Sequence, residues 1–402
     1  EKLERTIKRV SSASVLSMFA FGLSGCLPGF QRETEPTGTL FSGNAIDGPL
    51  QNAKVFIDAN NNGLLDLNET FALTSSDGSF SLRTTDTGNL AVVTTNETID
   101  TSSGSVVSGL TLAAPSGSSI ISPATTIVEA LIDSGVTEAQ AYADTAAALG
   151  LTENGGAAIA DPESFLKSFN PFSSSVDATS EDALNYATKS AQIVAVANTV
   201  AEVGAAANVR DKADILASAL SKIATDVANS GGVELAINSA YVGNVIDAAT
   251  NNTVTGTLKD DVSAAIANVA ASIELAVTDL SSDTSGDLFY ASQALLVEAT
   301  VEAASGGSND VLDVLKNSSA ADMSTLATSL VKVTGSTRGS ISEDANTDAT
   351  TGDISTTGTL TLGDPDTTDD TTYKFDTTVT DLGSNTGSLT ITEDGVWTYT
   401  YP

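Results

Sequence analysis

The sequence predicts a multidomain α+β chain, with a β-rich N-terminal part, an Ala-rich all-α centre and a second β-rich part at the end. Three observations carry this. Residues 38–115 alternate β-branched and aromatic residues with polar ones, between turns built on Gly, Asp and Pro. Residues 120–333 place apolar side chains three and four apart, the helical period. Residues 335–402 return to Thr, Asp and Gly, with alternating aromatics near the end. A chain of 402 residues has room for two or three domains, each with its own core.

Charge narrows the function classes. Acidic residues number 51 against 17 basic ones, a net charge of −34, which argues against nucleic acid and against electrostatic docking to anionic lipid. Such a surface stays solvated and collects cations. Histidine is absent, so the commonest general base and transition-metal ligand are missing. A single cysteine allows no disulfide within the chain.

The first element is a targeting segment, residues 1–25. Lys2, Arg5, Lys8 and Arg9 form a basic start, and an apolar run over 15–23 is too short for a stable membrane span. Leu23-Ser24-Gly25-Cys26 follows and resembles a bacterial lipobox, in which the cysteine is lipidated and becomes the new N-terminus. An ordinary signal peptide with a chance cysteine is the alternative. The resemblance implies a membrane anchor at Cys26, and no aspartate follows it to suggest retention at the inner membrane. Residues 26–37 read as a polar tether. The chain opens on Glu1 rather than Met, so its true start is expected upstream.

Within 38–115 the most informative stretch runs from Asp58 to Glu69. It satisfies D-x-[DN]-x-[DN]-G-x₅-E, the twelve-residue calcium loop. Side-chain oxygens of Asp58, Asn60 and Asn62 recur at alternate positions, and the carbonyl of Leu64 can add another. Gly63 permits the sharp turn, Asp66 binds directly or through water, and Glu69 closes the site with two oxygens. The expected cofactor is therefore Ca²⁺. Three carboxylates put the expected affinity in the weak extracellular range, about 10⁻⁴–10⁻³ M. An ordinary Asn/Asp/Gly turn is the plainer reading of the same residues. Leu65 is expected to point into a core.

The flanks of the loop are strands, not the helices of a helix–loop–helix hand. Lys54-Val55-Phe56-Ile57 precedes it, and Phe71-Ala72-Leu73 runs on to a turn at Asp77-Gly78, with Phe80 and Leu82 alternating beyond. Further strands are expected near 90–95 and 106–112. This arrangement resembles the carboxypeptidase-regulatory-like and serine-aspartate-repeat B-type modules of bacterial surface proteins. The resemblance implies a β-sandwich stalk stiffened by calcium.

The helical centre begins at Ser122-Pro123, a cap followed by proline in the first turn. Thr137 to Gln140 reads as a capping box, and Gly150 as a stop. Stripes follow at Ile193, Val196, Val200 and Val203, at Leu216, Leu220, Ile223 and Val227, and from Val262 to Leu280. Helices are also expected over 288–304 and 310–331, with breaks at 251–252, 281–286 and 306–307. Small Ala- and Val-rich faces favour close antiparallel packing in a bundle. Acidic outer faces argue against a membrane-surface role. No nucleophile–base pair, P-loop or metal cluster stands out here.

The tail runs Gly339 to Glu343-Asp344, Gly358-Thr-Leu to Asp364-Pro-Asp366, and Gly387-Ser-Leu to Asp394-Gly395-Val-Trp397-Thr-Tyr399. It is similar to the VCBS repeat, a cadherin-like β-sandwich of bacterial adhesins. By that resemblance Glu343, Asp344, Asp364 and Asp366 are candidate calcium ligands, although aspartates in turns also bond their own backbone. Trp397, Tyr399 and Tyr401 alternate as a buried face does. The pattern stops short of its last strands at Pro402, so a partial sandwich, in a fragment of something longer or a module completed by a partner, is expected.

Together the resemblances imply a calcium-binding, non-catalytic bacterial lipoprotein of the cell surface, on the outer membrane or extracellular, acting in adhesion, matrix assembly or display. Its partners would be the membrane through Cys26 and an extracellular protein or polysaccharide, with no nucleic acid. The alternative is a carbohydrate- or ligand-binding accessory lipoprotein of a polymer-degrading system. Catalysis finds little support, because no Asp/Glu pair sits in a recognisable strand-end setting.

Overall fold

The computed structural model describes residues 38–323, apart from 96, 108 and 308, together with 332–335, 354–363 and 388–401. Cys26, and the tail residues Glu343, Asp344, Asp364 and Asp366, lie outside the described residues. The chain divides into two compact units, Thr39–Leu330 and Val331–Pro402, the latter taken with Glu1–Gly38. Both helices and strands are present, and the fold is mixed α+β.

The larger unit opens with short strands: β1 (Thr39–Ala45), β2 (Leu50–Gln51), β3 (Lys54–Asp58), β4 (Phe71–Leu73), β5 (Ser79–Thr84), β6 (Asn89–Val93), β7 (Ile99–Asp100), β8 (Ser105–Val106), β9 (Thr111–Ala114) and β10 (Ile120–Ile121). The stretch expected as one strand over 106–112 is split between β8 and β9, with Gly109 left-handed between them. Three sheets result, in the orders β10-β1-β5, β4-β3-β6-β9 and β2-β7-β8. Alternation of side chains sends Phe80 and Leu82 of β5 into the same core as Val55 and Ile57 of β3 and Leu90 and Val92 of β6. Each such burial contributes about 1.5–3 kcal/mol.

Helices follow: α1 (Pro123–Asp133), α2 (Glu138–Ala148), then a small hairpin of β11 (Thr152–Glu153) and β12 (Ala157–Ala158), then α3 (Pro162–Ser168), α4 (Glu181–Ala206), α5 (Lys212–Asn229), α6 (Ser239–Thr250), α7 (Gly256–Ala276), α8 (Asp283–Ala304) and α9 (Asp310–Leu315). Ser122 and Thr125 form a reciprocal capping box at the start of α1, with Pro123 in the first turn. Thr137 is the N-cap of α2, but its hydroxyl makes no cap bond. Two breaks differ from expectation. α8 begins at Asp283 because Ser282 accepts from the amide of Ser285, so Gly286 falls inside the helix. α9 stops at Leu315, and a new turn starts near residue 320.

The expected stripes on α4 and α7 are buried, as are Leu216, Ile223 and Val227 of α5. α4 is buried along most of its length, since α1, α5, α6, α7 and α8 all pack on it. Its small residues let neighbours approach closely. The β and helical stretches share their interior: Val194 of α4 enters the β core, and Ile46 and Ile120 enter the helical one. β10 also pairs parallel with β1, tying the start of α1 to the first strand.

In the smaller unit, β13 (Lys332–Gly335), β14 (Ile354–Gly363), β15 (Ser388–Ile391) and β16 (Val396–Tyr401) form an antiparallel sheet in the order β13-β14-β16-β15. Trp397 and Tyr399 are buried, as alternation on one face requires. Gly358 lies opposite Trp397 in the β14–β16 register, where the indole packs over it.

Candidate metal centre

β3 ends at Asp58, and the chain returns through β4, antiparallel to β3. The loop between them is therefore held at both ends by one sheet. Asp58 itself is buried, and its register partner on β6 is Asn89. Gly63, with φ of 72°, and Asn61, with φ of 56°, take the left-handed conformations that the turn needs.

Inside the loop the side chains close on one another. Asp58 Oδ1 accepts from the amide of Asn62 at 3.1 Å and Oδ2 from that of Gly63 at 2.7 Å. Asn60 Oδ1 accepts from the amide of Asn62, and Asn62 Oδ1 from that of Leu64 at 2.8 Å. Both oxygens of Glu69 are engaged across the loop, accepting from Ala59 N at 3.0 Å and Asp66 N at 2.9 Å. The Nδ2 groups of Asn60 and Asn62 both donate to Asp66 Oδ2, at 2.7 and 3.1 Å.

Asp58, Asn60, Asn62, Asp66 and Glu69 are thus one network, and Leu64 joins it through its main chain. Leu65 is only half-buried and belongs to neither apolar core. Among the described residues, no three His, Cys, Asp or Glu side chains are grouped to hold a metal by themselves. The donor set here is instead three carboxylates with two amides and a main-chain carbonyl, the hard oxygen mixture that suits calcium. Rotation of the two amides would turn their Oδ1 atoms inward, and an amide's oxygen and nitrogen are told apart only by their partners. The residues fit the ion.

Helix α1 adds side chains that local spacing did not reveal. Asn61 Nδ2 donates to Asp133 Oδ1 at 2.6 Å, and Asn89 Nδ2 donates to Glu129 Oε1. Glu129 is 4% exposed, and its Oε2 has no partner. Burial, and then the charge of Asp133, push its carboxyl up to about 7; Asp58 and Glu138 add to this and the bond from Asn89 opposes it. The only sequence signal was that Glu129 and Asp133 lie one turn apart in α1.

A second unusual carboxylate lies elsewhere. Asp47 is held well above the usual range by burial and by the charge of Asp100. Asp100 is raised by burial too, although Ser102 and Ser103 bond to it. Separately, an open groove of about 490 Å³ runs past Asn44, Ser164, Phe165, Ser168, Phe169 and Asn170. Among the described residues, no helix is long and apolar enough to cross a membrane. No family model, curated protein or solved structure matches this chain.

Proposed function

We propose that this chain is a calcium-binding, non-catalytic lipoprotein of the bacterial cell surface. It would be anchored through Cys26 and act in adhesion, matrix assembly or display. Its N-terminal strands would form a calcium-stiffened β-sandwich stalk module, its helices a bundle, and its last strands a partial cadherin-like sandwich. The single observation that carries the reading is the closed network of Asp58, Asn60, Asn62, Asp66 and Glu69 between paired strands. Calcium there would join β3 to β4 and hold the module straight.

Calorimetric titration of calcium into the whole chain tests this, with Asp58→Ala/Glu69→Ala as control. Saturable binding at about 10⁻⁴–10⁻³ M is expected, and the control should lose the loop's equivalent. At ten to a hundred times Kd, binding should add about 1.4–2.7 kcal/mol to stability. No binding up to tens of millimolar would leave an ordinary turn. Anchoring has its own check: an N-terminal fatty-acyl group found by mass spectrometry of the processed protein, and absent from Cys26→Ala.

A carbohydrate- or ligand-binding accessory role is the second reading, favoured by the groove beside Phe165 and Phe169. There Ser and Asn side chains flank two stacked rings 4.5 Å apart. Retention on an immobilised polysaccharide, lost in Phe169→Ala, would support it.

A further inference from the structure

We infer that the place where Asn61 and Asn89 meet α1 is a second cation subsite, taking a hard divalent cation on Glu129, Asp133 and the side-chain oxygens of Asn61 and Asn89. It extends the calcium reading of the loop, whose Asp58 pairs in register with Asn89.

Glu129 lies at the centre of the subsite. Its carboxyl is almost wholly removed from water, one of its oxygens is unpartnered, and Asp133, Asp58 and Glu138 add negative charge near it. A buried carboxylate with like charges around it is costly unless a cation or a proton joins it. The other donors adjoin it or its neighbour one turn on. Glu129 and Asp133 are one helical turn apart on the same face of α1. Asn89 reaches Glu129 from β6, and Asn61 reaches Asp133 from the loop.

Each amide points its nitrogen at a carboxylate. Turning both amides over would present two more oxygens. All donors would then be oxygen, with no thiol or imidazole, which selects calcium-class ions over zinc or copper. Filling this subsite would staple the loop to α1, and so join the β strands to the helices.

Calcium titration of the whole chain, in about 0.15 M KCl to screen the acidic surface, tests the inference by difference. The variants are Glu129→Gln/Asp133→Asn and, separately, Glu69→Gln. The first should take up one equivalent fewer than the native chain, and Glu69→Gln also one fewer. An unchanged stoichiometry in Glu129→Gln/Asp133→Asn overturns the subsite, and if Glu69→Gln still loses an equivalent the loop reading survives. Loss in the α1 variant alone supports the subsite and overturns the loop. Loss in neither overturns both. In chelator, the α1 variant should melt above the native chain, because it relieves like-charge repulsion. Should it fail to fold, Asp133→Asn alone, at an exposed position, carries the same expected loss.

Discussion

Asp47 Oδ1 has no hydrogen-bond partner and lines a small cavity with Tyr186, Ser190 and Phe289. Its folded-state carboxyl holds a proton more tightly than an unfolded one, which titrates near about 3.9. Between that value and its own raised one, the folded state binds more protons, so stability falls as pH rises. Asp100 and Glu129 act in the same direction, Glu129 up to about 7. Urea unfolding in chelator should therefore show higher stability near pH 5 than near pH 8. Asp47→Asn should flatten that slope and gain stability at neutral pH; an unchanged slope would mean Asp47 is ionised in the fold. Below the ordinary carboxylate range the sign reverses, because Glu274 and Asp182 are held low by their hydrogen bonds, against their partial burial, and lose that stabilisation when protonated.

At the scale of elements, the loop and the last hairpin are the sharpest cases. The β3–β4 connection is stable only while its carboxylates have donors. The backbone amides of Ala59, Asn62, Gly63 and Asp66 supply them. Gly63→Val would force a β-branched residue into a left-handed turn, at a cost of about 1–3 kcal/mol, and should weaken calcium binding more than it lowers the melting temperature. The β14–β16 pair depends on Gly358, since a Cβ there would lie 2.5 Å from the indole of Trp397. Trp397 is the chain's one tryptophan, so its fluorescence reports on the small sheet alone. Gly358→Ala should shift that emission to the red while far-UV circular dichroism, dominated by the helices, stays unchanged.

For the molecule as a whole, the contact pattern carries the expectation. Thr39–Leu330 shares apolar cores between strands and helices, and Val331–Pro402 belongs to a second compact unit. Thermal unfolding should then give one transition for the helical signal together with β1–β10, and an independent one for Trp397. Hydrogen exchange that releases residues 39–114 well before the helices would contradict this. A net charge of −34 adds a general term. Monovalent salt should raise the melting temperature by screening repulsion, and Glu69→Gln should keep this gain while losing the loop's share of the calcium-specific one.

The loop's residues were legible in the sequence because its donors lie within twelve consecutive positions, so spacing alone brings Asp58, Asn60, Asn62, Asp66 and Glu69 together. The stripes of α4, α5 and α7, and the alternation of Trp397 and Tyr399, were legible for the same reason, since one element's period sets which side chains share a face. Asn89 and Glu129 were not. Asn89 meets the loop only because β6 pairs with β3 in that register, and Glu129 only because α1 packs on the strands. Likewise, nothing local says that Val194 enters the β core or that Asp47 and Asp100 share an enclosed place. Short-range chemistry is written in spacing; contacts between residues far apart in the chain are decided by register and packing, which only the tertiary structure resolves.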